Sequence, residues 1–466
     1  LSLQQVHYIV RHGERTPVRA RLAQSNPPIP TRWNLCHEAN RFRAAVLRNQ
    51  DGDAISATTR AVEVMDERGR PKDVHNGDCL YGELTDLGRS STFAVGQRLR
   101  KLYADQLGFL PDLNKLSAED TDSFYFRSTN MPRTVESLQQ IVAGLLSRPD
   151  RDPSAAPPAS GDLAESPKGG FAPQLLVRDM SVEDLLPNTV ACGTLRHLDQ
   201  FFSSYAARLW NPHLAKYDSV IAPHNDGHAV RVDSHPRLNG ILDTVNAAVA
   251  HGITVPACFR DSAHAPTSLL REMERAVVAE WFIAYLAPDP HKRAKFRRLA
   301  MGPFLNSVAD RLEAKADSGV SQGGKQGEKL KLGLYAAHDT SLAGMLCTLD
   351  AFRDRWPAFT ASLGIELFKD ERPHVHQHRF ARWGSMLGLG TPARAPHYVR
   401  LRFGDETLRL PGCAAPGKHL ASLAAGSPST SSSQGQGHPE FCTLEAFLEL
   451  TRALRHPDGL SYSQEC

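Results

Sequence analysis

Val6-His7-Tyr8-Ile9-Val10-Arg11-His12-Gly13-Glu14-Arg15-Thr16-Pro17 is the stretch from which the fold is read. Its first five residues make a short, mostly apolar run, the pattern of a buried strand. Open α/β sheets bind ligands outside the carboxyl ends of their strands. A strand over Val6–Val10 therefore delivers Arg11 and His12 to the place where a site is expected.

The residue types there fit one chemistry. Arginine offers planar, paired donors to phosphate oxygens and keeps its charge. Positive charge on both sides also disfavours an imidazolium, so His12 can stay neutral and nucleophilic below its ordinary pKa of about 6.5. Gly13 permits a tight turn beside a substrate. An Arg-His-Gly tripeptide alone carries little weight, since a lone histidine is more often structural. The five fixed positions of Arg-His-Gly-x-Arg-x-Pro, following a strand, seldom arise by chance.

Further along, a helix is predicted from Thr85 as N-cap, with Leu87, Phe93, Leu99, Leu102 and Tyr103 as its apolar face. Phe124–Phe126 reads as a second strand, ending on Arg127. Leu270, Met273, Val277, Trp281 and Tyr285 fall three or four apart, predicting a core helix over Leu269–Ala287 that Pro288 stops. Leu332–Ala336 is a third strand-like run and leads into His338 and Asp339. Ile365–Phe368 and Tyr398–Phe403 look like later strands, the second joined to Thr407–Leu410 by a turn at Gly404-Asp405. Three segments, 149–170, 316–327 and 414–437, are rich in Pro, Ser, Gly and Ala and read as surface loops. No internal repeat is present.

The bulk properties exclude several classes. At 466 residues, with 41% hydrophobic and 23% charged residues, the chain is a globular protein of two or three domains. A net charge of +3 and no block of Lys/Arg speak against a nucleic-acid partner. The densest basic stretch, His291–Arg298, reads as the solvated face of a helix. No apolar run is long enough to span a bilayer, so at most peripheral membrane contact is expected. The sequence opens without Met or a signal segment, which predicts a processed end or a truncated start. Eight widely spread cysteines lack zinc-type spacing and leave disulfides open.

The heptapeptide from Arg11 resembles the signature of the histidine acid phosphatases, and Leu334-Tyr335-Ala336-Ala337-His338-Asp339 is similar to that family's late His-Asp pair. Arg127-Ser128-Thr129 with Pro132-Arg133-Thr134 and Ser137 resembles the segment that supplies the family's third phosphate-binding arginine. Glu83-Leu84-Thr85-x-x-Gly88 resembles its helix-opening motif, with Ser91 where glutamine is common. Within the family, Leu186-Pro187-Asn188, Met301–Leu305, Trp356-Pro357, Ile365–Leu367 and the stretch from Cys442 to Leu448 are similar to the mitochondrial lysophosphatidic acid phosphatases. The resemblance implies an α/β fold: a mixed central sheet with flanking helices, like the phosphoglycerate mutases, plus an inserted, mainly helical cap. The core would take residues 1–24, 80–140 and 328–466, and the cap and insertions 25–79 and 141–327.

It also implies roles. His12 would be the nucleophile and Asp339 the proton donor to the leaving oxygen, with Arg11, Arg15, Arg127 and His338 binding the phosphate. No cofactor or metal is implied; fixed cations meet the charge on the transferring phosphoryl. The partner would be a small phosphate monoester such as a lysophospholipid, and the protein a monomer. The resemblance points to mitochondria, with secretion as the alternative. Cys413 and Cys442 resemble a disulfide-paired position. Asp339 also suits a helix N-cap ahead of Thr340-Ser341-Leu342, and Glu14 is a rival acid. His374, His376 and His378 could bind a metal if they lay on a strand, but read better as a solvated loop. Three readings compete with a lysophosphatidic acid phosphatase: a phytase, a mutase-like enzyme suggested by Glu14, and a non-catalytic phosphate binder. His12 and Asp339 together argue against the last.

Overall fold

The run at Val6–Val10 does form a strand, extended at both ends: β1 spans Ser2–Arg11. A computed structural model describes residues 1–38, 61–66, 68–147, 170–171, 173–260, 269–318, 329–372, 395–421, 437–457 and 459–466. His374, His376 and His378, read from the sequence as a solvated loop, lie outside them, as does most of the three low-complexity segments.

After β1 come a small hairpin, β2 (Val62–Met65) with β3 (Pro71–His75), and then helix α1 (Asp86–Leu99). Strands β4 (Phe124–Ser128) and β5 (Leu175–Val177) flank α2 (Pro132–Leu146). The inserted helical part follows as α3 (Gly193–Leu214), α4 (Asp218–Ile221), α5 (Leu238–Ala250), α6 (Leu269–Phe282), α7 (Pro290–Ala300) and α8 (Gly302–Asp317). The chain returns through β6 (Leu332–Ala337) and α9 (Asp339–Thr348). It ends with β7 (Ser362–Lys369), β8 (His397–Phe403), β9 (Glu406–Leu408), β10 (His419–Leu420), β11 (His438–Thr443) and α10 (Leu444–Arg452).

The nine-stranded sheet runs β10-β11-β8-β7-β1-β6-β4-β5, with β9 on β8. β1, β6, β4 and β5 are parallel, while β7 and β8 are antiparallel. Every residue of β6 is buried, as a central parallel strand requires. Its side chains alternate between two cores. Leu332, Leu334 and Ala336 join Val6, Val10 and Phe126 under Val95, Leu138 and Ile141 of α1 and α2. Tyr335 and Ala337 join Ile9 on the other face, against Phe304 and Leu312 of α8 and Leu342 of α9. A third core lies within the helical part, where Leu22, Ile29 and Trp33 meet Ile241, Val245, Met273 and Val277.

Two sequence expectations need correcting. α1 is capped by Thr85 as expected, but Leu87 is exposed; the buried stripe runs through Gly88, Thr92, Phe93, Val95, Gly96 and Leu99. Leu102 and Tyr103 fall in the wider π-helical turn Arg100–Gln106, whose changed pitch keeps Tyr103 buried. The predicted helix over Leu269–Ala287 ends at Phe282 and tightens into a 3₁₀ turn, Ile283–Leu286. Trp281, still within α6, is 41% exposed and is not part of the core. Three disulfides are present, Cys36–Cys79, Cys192–Cys466 and Cys413–Cys442, the last as the resemblance implies; Cys258 and Cys347 are free.

Candidate active site

Register brings the two ends of the sequence together. Arg11 pairs with Ala337 across β1 and β6, and Ser128 with Ala336 across β4 and β6. The backbone N–H of His12 donates to Ala337 O at 3.1 Å, and that of Thr129 to Ala336 O at 3.2 Å. Arg11, His12, Thr129, His338 and Asp339 thus leave the sheet side by side. The loop behind His12 lies against the start of α1, where a Cβ on Gly13 would sit 2.4 Å from Gly88 O and one on Gly88 2.1 Å from Glu14 O. Only glycine at both positions permits that approach. Ser91 donates to the Glu14 carboxylate, tying the rival acid to α1.

His12 is 1% exposed, and its Nδ1 lies 2.9 Å from Gly13 O. A carbonyl only accepts, so Nδ1 carries the proton and Nε2 keeps its lone pair. Burial, then the charges of Arg11, Arg15 and Arg133, hold His12 well below the usual imidazole pKa. His338 is lowered to about 3 by burial and by Arg133, despite Asp339. Its Nε2 lies 2.9 Å from Thr129 Oγ1, and that hydroxyl lies 2.8 Å from Thr134 Oγ1.

Asp339 opens α9, and the N-cap position falls on His338; the sequence had suggested Asp339 itself. Oδ1 accepts from the Thr340 N–H at 2.8 Å, and Oδ2 from Trp356 Nε1 at 3.0 Å and Arg11 Nη2 at 2.7 Å. Burial pushes this carboxyl up, but Arg11, Arg15, His338 and the Thr340 N–H together hold it below the ordinary carboxylate range. Arg11 also donates to Pro357 O at 2.6 Å and stacks 4.2 Å over the Phe359 ring. Arg15 pairs with Asp243 of α5 at 2.8 Å, linking the helical part to the site.

The third arginine differs from expectation. Arg127 sits within β4 opposite Tyr335, and its guanidinium is bound by Glu183 and by Asp184, the latter at 2.6 Å. Its charge is spent on that buried pair. Arg133, in the first turn of α2, instead acts on both His12 and His338 and makes no ion pair among the described residues. Burial, Arg15 and Arg11 lower it to about 10, against the opposing pull of Asp339 and Asp243. The buried Nε atoms of Arg11, Arg15 and Arg133 find no partner among the described residues. Unmet donors on three arginines whose charges all act on His12 are what an anion would satisfy. Arg127→Ala is expected to cost about 3–5 kcal/mol of stability by stranding buried carboxylates, read as a lowered melting temperature. Arg133→Ala should fold normally and lose phosphatase turnover; an Arg127→Ala protein that is stable yet inactive would reverse the two assignments.

A cavity of about 350 Å³ adjoins His338 and Asp339. Leu186, Pro187, Trp281, Phe282 and Phe296 form its apolar wall; among the described residues Arg133 is the one arginine or lysine that lines it, and Asp199 lines it as well. Burial raises the Asp199 pKa. A larger cavity, about 770 Å³, lies at the opposite end of β4 and holds none of the site residues. No cluster of metal-ligating side chains occurs among the described residues.

A neutral histidine ringed by arginines at the carboxyl ends of parallel strands defines a phosphate-handling α/β protein. The profile of the histidine phosphatase superfamily (branch 2) matches residues 2–168. A probable acid phosphatase of Schizosaccharomyces pombe is 36% identical over 378 residues, 79% of this chain and 73% of its own length. Lysophosphatidic acid phosphatase type 6 of Homo sapiens is 26% identical over 384 residues, 79% of this chain and 74% of its own. Among solved structures, the phytase from Citrobacter braakii superposes with a TM-score of 0.53 at 14% identity, covering 98% of this chain and 99% of that one. The chain belongs to the histidine phosphatase superfamily, branch 2, in company with the acid phosphatases.

Proposed function

We propose that this protein hydrolyses phosphate monoesters through a phosphohistidine and that its substrate is lysophosphatidic acid. The observation that carries the first part is the set of unmet Arg11, Arg15 and Arg133 donors around a neutral His12. His12 Nε2 attacks phosphorus and the bond to the leaving oxygen breaks, while a proton on Asp339 passes to that oxygen. Water then attacks the phosphohistidine, gives its proton to Asp339, and inorganic phosphate leaves. The arginines and His338 hold the phosphoryl oxygens, on which charge is spread throughout.

The cavity supports the lipid reading. The leaving group departs toward Asp339, where the wall is apolar and, among the described lining residues, Arg133 alone is a lysine or arginine. A leaving group carrying several phosphates would need cations there. A monoacylglycerol is neutral, hydroxylated and apolar. Hydrolysis of oleoyl lysophosphatidate should exceed that of phytate at least tenfold in kcat/KM, with EDTA present. Equal rates, or a preference for phytate, would overturn the lipid assignment and leave the phosphatase chemistry standing.

A further inference from the structure

A row of apolar side chains on α3 is left uncovered by the described residues. Leu195, Phe202, Ala206 and Leu214 bury one face of this helix, but Phe201, Tyr205 and Leu209, four residues apart, are 49%, 41% and 46% exposed. Residues at that spacing form one continuous ridge. Scattered apolar residues are ordinary on a surface, whereas a ridge rimmed by like charges marks an interface.

Cations stand beside this ridge, together with the Asp289 carboxylate at the N-cap of α7. Lys292 of α7 stands with Nζ 4.6 Å over the Phe201 ring, and the Arg208 guanidinium is 6.0 Å from that of Tyr205. Within α7, Arg297 and Arg298 are paired with Asp350 and Glu465, but Lys292 and Lys295 have no ion pair among the described residues. The same two helices line the cavity beside Asp339: Asp199 precedes Phe201 by two positions, and Phe296 follows Lys292 by four. Trp281, which lines the same cavity, and Leu286, four residues before α7, are exposed as well. Among the described residues no helix is long and apolar enough to cross a membrane.

We propose that the α3 ridge and the start of α7 are the face by which this protein sits on an anionic lipid bilayer. Aromatic rings favour the headgroup layer, and lysines beside them favour anionic headgroups. Seated so, the helix pair that meets the bilayer is the pair that walls the leaving-group cavity, so a single-chain phospholipid has a short path to Asp339. This rests on the reading that the substrate is a lysophospholipid.

The test is co-sedimentation with vesicles of phosphatidylcholine alone and with phosphatidylserine added, for the wild type and for Phe201→Ser/Tyr205→Ser/Lys292→Glu. The wild type should bind the anionic vesicles and the variant at least tenfold less, with p-nitrophenyl phosphate hydrolysis unchanged. Hydrolysis of vesicle-borne oleoyl lysophosphatidate should fall in parallel, while that of a short-chain, monomeric lysophosphatidate stays. Wild type that ignores anionic vesicles overturns the proposal, as does a variant that binds them equally. So does a wild-type dimer in ultracentrifugation that the substitutions dissolve, for the ridge would then belong to a second copy. Loss of activity on the monomeric lipid by the wild type would sink the substrate reading instead, independently of vesicle binding.

Discussion

His12→Ala is expected to lower kcat for p-nitrophenyl phosphate by about 10⁴-fold or more, the scale at which removal of a catalytic nucleophile is felt. The argument rests on how completely the surroundings commit this imidazole. Its Nδ1 proton is held by Gly13 O, and burial beside Arg11, Arg15 and Arg133 keeps it uncharged. Nothing else in the cradle is a nucleophile: Asp339 is occupied by Arg11 and Trp356, and His338 by Thr129. Because the side chain lies at the end of β1 and outside the three hydrophobic clusters, the alanine variant should melt near the wild type. Quenching the wild-type reaction at alkaline pH should trap an acid-labile phosphoryl label that the variant lacks. A variant that retains its rate would end the phosphohistidine proposal and make phosphate binding the leading function.

How much of this was legible in the sequence follows from where each residue's constraint lies. β1 and β6 could be read because each carries a mostly apolar run that ends abruptly in charge, and the residues at those ends are the ones the register brings together. The start of α1 was legible because a cap is a local hydrogen bond, here from Gly88 N–H to Thr85 Oγ1. Arg127 and Arg133 could not be told apart locally, since one lies near the end of β4 and the other only six residues on, in the first turn of α2. What separates them is Glu183 and Asp184, some fifty residues later, which claim Arg127. Asp243 gave no signal at all: an aspartate in a helix is unremarkable until α5 is packed against Arg15. Trp281 was misplaced because it keeps the helical spacing of Met273 and Val277, yet at the end of α6 it lines the cavity and stays exposed.

Asp339→Asn should show the second large effect, and its size should depend on the leaving group. An asparagine cannot supply a proton, so an alkyl phosphate, which expels a strongly basic alkoxide, should lose about 10²–10⁴-fold in kcat. p-Nitrophenyl phosphate, whose leaving phenolate is stabilised, should lose far less. The pH profile adds an independent check. In the free protein Arg11 and its neighbours hold Asp339 below the ordinary range, so it is ionised at working pH and the proton must arrive with the substrate. A phosphate monoester with a second pKa of about 6 brings that proton as its monoanion; displacing Arg11 from Asp339 then lets the carboxyl take it. kcat/KM should therefore fall as pH rises above about 6, and the limb should move down for esters of lower second pKa. Toward acid the rate persists well below the usual imidazole range, because the depressed His12 remains unprotonated there. In Asp339→Asn the basic limb should disappear. If instead Asp339→Asn slows both substrates equally, its carboxylate serves only to orient Arg11. If Glu14→Gln shows the leaving-group dependence, the acid is Glu14, released from Ser91.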